Sequence, residues 1–249
     1  MTQPAIRAAA VIPARYASSR FPGKPLADLT GKAMILHVLE RAQACETVGR
    51  IIVATDDERI RRVVADAGFE ARMTREDHPN GTSRIAEVAE TLDEELVVNI
   101  QGDEPQIEPE LVDRTVRALA AHPTAPMATL VSPFAPGEDP SNPNIVKCVR
   151  GVDGRALYFS RSLIPFDRDR GPGAARPMKH VGLYVYRRPF LRTFLALAPT
   201  PLERTESLEQ LRVLEHGHAI VCAEGEAHFT GIDTPEQYEA FVARKLGPG

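Results

Sequence analysis

The sequence predicts an α/β protein built on a doubly wound, mostly parallel sheet, completed by a smaller antiparallel and helical part. Three observations carry that expectation. Short apolar runs alternate with stretches of helical periodicity through the first half of the chain, which is the signature of βα units. Past Leu119 the alternation gives way to closely spaced strand and turn signals. The 249 residues, 43% of them hydrophobic and 26% charged, have the composition of an ordinary globular protein with material for one sizeable core. That length leaves one large α/β domain and one domain with an embedded subdomain both open, and a single domain over residues 1–249 is the expectation adopted.

Ile6 to Ile12 is a compact apolar run closed by Pro13, as in a strand buried on both faces. Met34, Ile35, Val38, Leu39 and Ala42 then recur at helical spacing, and Ile51 to Ala54 is a second short strand. Thr55 and Glu58 form a capping-box pattern ahead of a helix with Ile60, Val63, Val64 and Ala67 on one face. A helix over Thr82 to Leu92, a strand over Leu96 to Ile100 and a helix opened by Pro109 continue the order. In the second half Met127 to Val131, Asn144 to Val149 and Val181 to Tyr186 read as strands, with a hairpin turn at Val152 to Arg155 before Ala156 to Phe159. Residues 165–178, rich in Pro, Gly and charge, read as a loop. Thr200-Pro201-Leu202-Glu203 opens a helix expected to end near Gly217, and Thr234-Pro235-Glu236-Gln237 opens the last one.

A net charge of −4, no tryptophan and an aromatic content of 6% argue against a surface that holds nucleic acid. No run approaches the ~20 apolar residues of a membrane span, so no membrane insertion and a cytoplasmic location are expected. Cys45, Cys148 and Cys222 are odd in number and far apart, and read as small buried apolar residues rather than a disulfide framework or zinc site. His216-Gly217-His218 reads as a helix end and turn.

The chemistry concentrates at the edge where open α/β sheets bind ligands. Between the first strand and first helix, Pro13 to Pro25 carries Arg15, Arg20 and Lys24, which present guanidinium forks and a point charge suited to a triphosphate. Neither G-x-G-x-x-G nor G-x-x-x-x-G-K-[ST] occurs in the loop, so dinucleotide and Walker-type binding lose support. Asp103 follows the strand ending at Ile100, and Asp233 begins the last helix. One or two carboxylates with substrate phosphates suffice for Mg²⁺, although Asp233 is equally compatible with a helix cap. Asn80-Gly81 is likewise a turn dipeptide with Thr82 as a plausible cap.

The loop resembles the signature of sugar-activating nucleotidyltransferases in the form found in the 3-deoxy-manno-octulosonate (Kdo) cytidylyltransferase family. The resemblance continues through Thr74 to Arg84, Gln101-Gly102-Asp103-Glu104-Pro105, Asn142-Pro143-Asn144, Tyr158-Phe159-Ser160-Arg161, His180 to Tyr184, Leu208 to Arg212 and Gly231 to Pro235. It thus covers nearly the whole chain in order. The resemblance implies CTP and Kdo as substrates, Mg²⁺ as cofactor, CMP-Kdo and pyrophosphate as products for lipopolysaccharide assembly, and a homodimer. It assigns Arg15, Lys24, Asp103 and Asp233 to catalysis, with the two aspartates on the metal. Arg15, Arg20, Lys24, Arg75, Asn80 and Gln101 go to the nucleotide, and Arg161, His180, Tyr184, Glu209 and Gln210 to the sugar acid. Asn80 departs from the serine frequent there, which leaves CTP over UTP selectivity open. Without the resemblance Glu209 and Gln210 read as solvent-facing neighbours of the apolar row Leu208, Leu211 and Leu214. Two other readings stand beside this one: transfer to another sugar acid, 8-amino-Kdo or a nonulosonate, and a non-catalytic nucleotide sensor.

Overall fold

The computed structural model describes residues 6–17, 20–169, 173–229 and 231–246. Ser18 and Ser19 of the polar loop, residues 170–172 of the Pro/Gly-rich loop and the terminal Gly-Pro-Gly lie outside the described residues. The chain divides into two compact units, one of residues 1–113 with 228–249 and one of residues 114–227.

The first unit is built on four parallel strands. β1 (Ala8–Ala14) lies between β2 (Val48–Thr55) and β4 (Leu96–Asn99), and β3 (Glu70–Met73) lies outside β2. Val11 is paired with both Ile52 and Asn99, and Ala8 to Ile12 are wholly buried. A strand flanked on both sides and covered on both faces has no place for polar side chains, which accounts for the uninterrupted apolar run. The chain leaves β1 in one direction through β2 and β3 and returns to β4 on its other side. With right-handed crossovers that reversal puts the connecting helices on opposite faces, as expected of a doubly wound sheet.

The helices follow the predicted periodicities. α1 (Met34–Gln43) buries Met34, Ile35, Val38, Leu39 and Ala42. α2 (Glu58–Asp66) buries Ile60 and Val64, but its cap differs from the expected Thr55/Glu58 box: the Asp57 carboxylate accepts from the Arg59 N–H, and Thr55 Oγ1 accepts from Asp57. Asp57 is two residues nearer the helix than Thr55, and its acid suits the positive helix end. α3 (Gly81–Ala89) follows, and α4 (Pro109–Ala120) carries the chain into the second unit. The last helix, α8 (Pro235–Leu246), packs Tyr238 and Phe241 with Met34 and Ile232 in the first unit.

In the second unit β5 (Met127–Pro133) pairs antiparallel with β8 (Met178–Arg187) and parallel with β9 (Ile220–Glu224). β6 (Lys147–Arg150) and β7 (Ala156–Ser160) form the expected hairpin, turned by Gly154 at φ 78°. β3, β9 and the helix α5 (Arg188–Ala196) have no counterpart in the sequence reading. The single helix expected from Thr200 to Gly217 is two, α6 (Pro201–Glu206) and α7 (Gln210–Glu215), separated at Ser207 with φ 52° and ψ 50°. The three cysteines are buried and unbridged, as expected.

Candidate active site

The C-terminal end of β1, the segment after β4 and the start of α3 enclose a cleft of about 380 Å³, within the usual range of ligand sites. It sits where strand order reverses between β1 and β4, the switch point at which parallel sheets place their ligands. Its lining includes Arg15, Arg20, Lys24, His78, Asn80, Arg84, Gln101, Asp103 and Asp233.

Local backbone explains how the loop cations get there. Gly23 takes φ 73°, a left-handed conformation that a side chain disfavours, and starts a 3-10 turn over Lys24–Leu26. Its N–H donates to the Tyr16 carbonyl at 3.0 Å, closing the polar loop on itself. Gly102 serves a different need: a Cβ there would stand 2.8 Å from the Pro13 carbonyl oxygen, so only glycine lets the chain after β4 pass β1 this closely.

Lys24 is the centre of the cluster. Its Nζ donates to Asp103 Oδ2 at 2.8 Å and to the Ile232 carbonyl at 2.7 Å, and lies 3.5 Å from Asp233 Oδ1. Arg20 Nη2 reaches Asp233 Oδ2 at 3.1 Å. The two aspartates, 130 residues apart in sequence, are thus held against one ammonium. The competing role of Asp233 as a helix cap is filled by its neighbour: Gln237 Oε1 accepts from the Thr234 N–H at 3.1 Å while Thr234 Oγ1 accepts from the Gln237 N–H at 3.4 Å. Two converging carboxylates are the hard oxygen donors that Mg²⁺ takes, so the residues present fit that ion. Next in sequence, Glu104 is buried, and burial beside Asp103 raises its carboxyl to about 8.

Of the residues outside the loop that the resemblance assigns to the nucleotide, only some are gathered here. Asn80 borders the cleft, yet its Oδ1 caps α3 by accepting from the Ser83 N–H at 2.9 Å. Gln101 borders it too and donates to Asn99. Arg75 is not among the lining residues; its exposed guanidinium lies 3.3 Å from Glu87. Two residues that the sequence reading left unassigned do line the cleft. Arg84 is buried and paired with Asp56 and Thr74, and His78 is held by Glu87 at 2.6 Å. Both lie inside the Thr74 to Arg84 motif, which was the available signal.

In the second unit His180 and Tyr184 of β8 have ring centroids 5.5 Å apart, and Phe159 meets the His180 ring edge-on at 4.9 Å. Burial lowers the imidazole to about 4, so it is neutral. Burial raises the Tyr184 phenol well above its ordinary range, with Glu209 among the nearby charges that add to the effect. Gln210 opens α7 and is buried, with no hydrogen-bond partner for Nε2 among the described residues. The solvent-facing alternative therefore fails for Gln210, and a buried amide without an acceptor is a group awaiting one. Arg161 is heavily engaged already: Nε, Nη1 and Nη2 donate to the carbonyls of Glu206, Pro143 and Ser207. Three of its five N–H groups thus tie loops together, and the other two have no partner among the described residues.

A cytidylyltransferase family profile matches residues 9–220. A 3-deoxy-manno-octulosonate cytidylyltransferase of Syntrophotalea carbinolica is 50% identical over 96% of this chain and 98% of its own length. The chain belongs to the 3-deoxy-manno-octulosonate cytidylyltransferase family. A second such relative, from Pelobacter propionicus, is 52% identical over 91% of this chain and 92% of its own. A CMP:2-keto-3-deoxy-manno-octonic acid synthetase solved with CTP superposes with a TM-score of 0.90 at 43% identity, covering 96% of this chain and 98% of that one. An inositol-1-phosphate CTP transferase from T. maritima shares the fold alone, with a TM-score of 0.67 at 14% identity over 98% of each chain. As a Kdo cytidylyltransferase family member the chain is an enzyme, a nucleotidyltransferase. No helix among the described residues is long and apolar enough to cross a membrane.

Proposed function

We propose that the chain, working as one nucleotidyltransferase domain over residues 1–249, transfers CMP from CTP to the anomeric hydroxyl of 3-deoxy-D-manno-octulosonate. The products are pyrophosphate and CMP-Kdo, the activated sugar for lipopolysaccharide assembly. The observation that carries this reading is the Lys24, Asp103 and Asp233 cluster at the strand-order switch point, in a chain half identical to Kdo cytidylyltransferases along nearly their whole length.

In this reading the hydroxyl oxygen forms a bond to the α-phosphorus as the bond to the pyrophosphate oxygen breaks in line, and the hydroxyl proton leaves to solvent. Arg15, Arg20 and Lys24 steady the triphosphate, and Arg75, Asn80 and Gln101 serve the rest of the nucleotide. Asp103 and Asp233 would hold Mg²⁺, which when bound neutralises phosphate charge and acidifies the attacking hydroxyl. Arg161, His180, Tyr184, Glu209 and Gln210 receive the sugar acid, the arginine through its remaining N–H groups. The enzyme works in the cytoplasm as a homodimer, the dimer being supported by exposed apolar side chains at Val152, Leu157, Leu163 and Phe166.

The test is pyrophosphate release with Mg²⁺ and CTP or UTP, with and without Kdo. Release that needs CTP and Kdo together is the expected result. Release with a different sugar acid alone, or CTP binding with no release for any acid, would overturn it.

A further inference from the structure

β8 carries a bulge that the pairing with β5 makes visible. Tyr184 lies opposite Thr129 and Val181 opposite Leu130, so Gly182 and Leu183 are extra residues on the β8 side. Bulges leave ladder groups unpaired and re-aim the side chains around them. Here Tyr184 borders the bulge on one side and His180 stands next to Val181, which borders it on the other, and both His180 and Tyr184 are read as meeting the sugar acid. The residue opposite, Thr129, is wholly buried, and its hydroxyl faces three groups: the Leu183 carbonyl at 2.9 Å, the Val181 carbonyl at 3.3 Å and His180 Nε2 at 2.9 Å.

A threonine hydroxyl has one proton to give, and a carbonyl oxygen can only accept. The Thr129 proton goes to the carbonyls exposed by the bulge, chiefly that of Leu183. The Thr129 oxygen is then an acceptor toward His180, and a neutral imidazole meeting an acceptor at Nε2 must carry its proton there. The other nitrogen, Nδ1, is left with a lone pair, and it has no hydrogen-bond partner among the described residues. Phe159, edge-on at 4.9 Å, and the Tyr184 ring, with its centroid 5.5 Å away, pack against the imidazole in this orientation.

We propose that Thr129 is a positioning residue that fixes His180 as the Nε2–H tautomer, so that Nδ1 accepts a hydrogen bond from a hydroxyl of the acceptor sugar. The proposal rests on the reading of His180 as a sugar-acid residue. It gives the β8 bulge and the buried threonine a shared purpose: beside the donors that the Arg161 guanidinium and the Gln210 amide would offer the sugar acid, the protein gains an acceptor of fixed direction. A hydroxyl recognised in this way distinguishes the natural acceptor from an analogue in which that hydroxyl is missing.

The experiment combines long-range ¹H–¹⁵N NMR of the imidazoles, His180 being assigned by its loss in His180→Ala, with kinetics on three variants. The native enzyme is expected to show the Nε2–H pattern at neutral pH. Thr129→Val should lose that pattern and raise KM for Kdo by about tenfold, the loss of one neutral hydrogen bond, while KM for CTP stays within about twofold. Thr129→Ser, which keeps the hydroxyl, should restore both tautomer and KM. An Nδ1–H pattern in the native enzyme overturns the proposal whatever the kinetics, and needs no variant to fold. An Nε2–H pattern with KM for Kdo unchanged in both His180→Ala and Thr129→Val overturns the assigned role, and locates the failure in the reading of His180 rather than in its tautomer.

Discussion

Lys24 shows how a single residue organises the cleft at the switch point. One ammonium bridges two carboxylates that would otherwise repel each other, with Arg20 supplying a second positive charge at Asp233, and it also satisfies the Ile232 carbonyl. It therefore holds Asp103 and Asp233 together. His180 works by the opposite means, being useful because it is uncharged. Its value of about 4 in the folded chain lies below the ordinary 6.5, because burial penalises the imidazolium. Between those two values the unfolded chain binds a proton that the folded chain does not, so stability is complete above 6.5 and falls as pH drops toward 4. Urea unfolding at about pH 7.5 and about pH 5 should show the native protein losing more stability than His180→Gln between the two conditions. Equal losses would mean that the imidazole is not held neutral. Residue identity was legible for this chemistry, since the motif positions already contain Lys24, Asp103 and Asp233. What sequence could not decide was which of two local roles each took. Thr234 with Gln237 caps α8 and releases Asp233, whereas Asn80 is itself the cap of α3.

Among the elements, two tight backbone positions decide the geometry. The segment after β4 passes β1 so closely that a methyl group on Gly102 meets the Pro13 carbonyl. Gly102→Ala should cost about 1–3 kcal/mol through overpacking, which for a chain of this size is a fall in Tm of several degrees, measurable by calorimetry. An unchanged Tm would show that β1 and the loop can part without penalty. Ser207 is the reverse case, a residue with a side chain in a left-handed conformation between α6 and α7. Ser207→Gly should stabilise by about 1 kcal/mol, seen as a higher urea midpoint with unchanged slope. The break at Ser207 escaped the sequence because no glycine or proline marks it, and helical periodicity runs across it. β3 and β9 escaped for a related reason. Glu-Ala-Arg-Met at β3 is neither alternating nor uniformly apolar, since an edge strand can carry charge, and Ile220 to Glu224 is too short for periodicity to distinguish from a helix end.

For the whole molecule, the parallel first unit was legible because buried strands and amphipathic helices have different periods, and their alternation survives in the sequence. The second unit was legible only in outline, because its antiparallel pairing and the β8 bulge depend on register, which no local pattern records. The exposed side chains of Leu157 and Phe166 belong to this scale. If they are covered by a second copy, sedimentation should return the mass of two chains, and Leu157→Lys with Phe166→Asp should return one. A native monomer would remove the dimer from the account. The central claim concerns the cleft at the switch point, and the rate of pyrophosphate release by Asp103→Asn tests it most directly. With saturating CTP, Kdo and Mg²⁺, the rate should fall by about 100-fold or more while thermal unfolding stays close to native, because the amide keeps the shape and loses the charge. A folded Asp103→Asn enzyme turning over at the native rate would contradict the account.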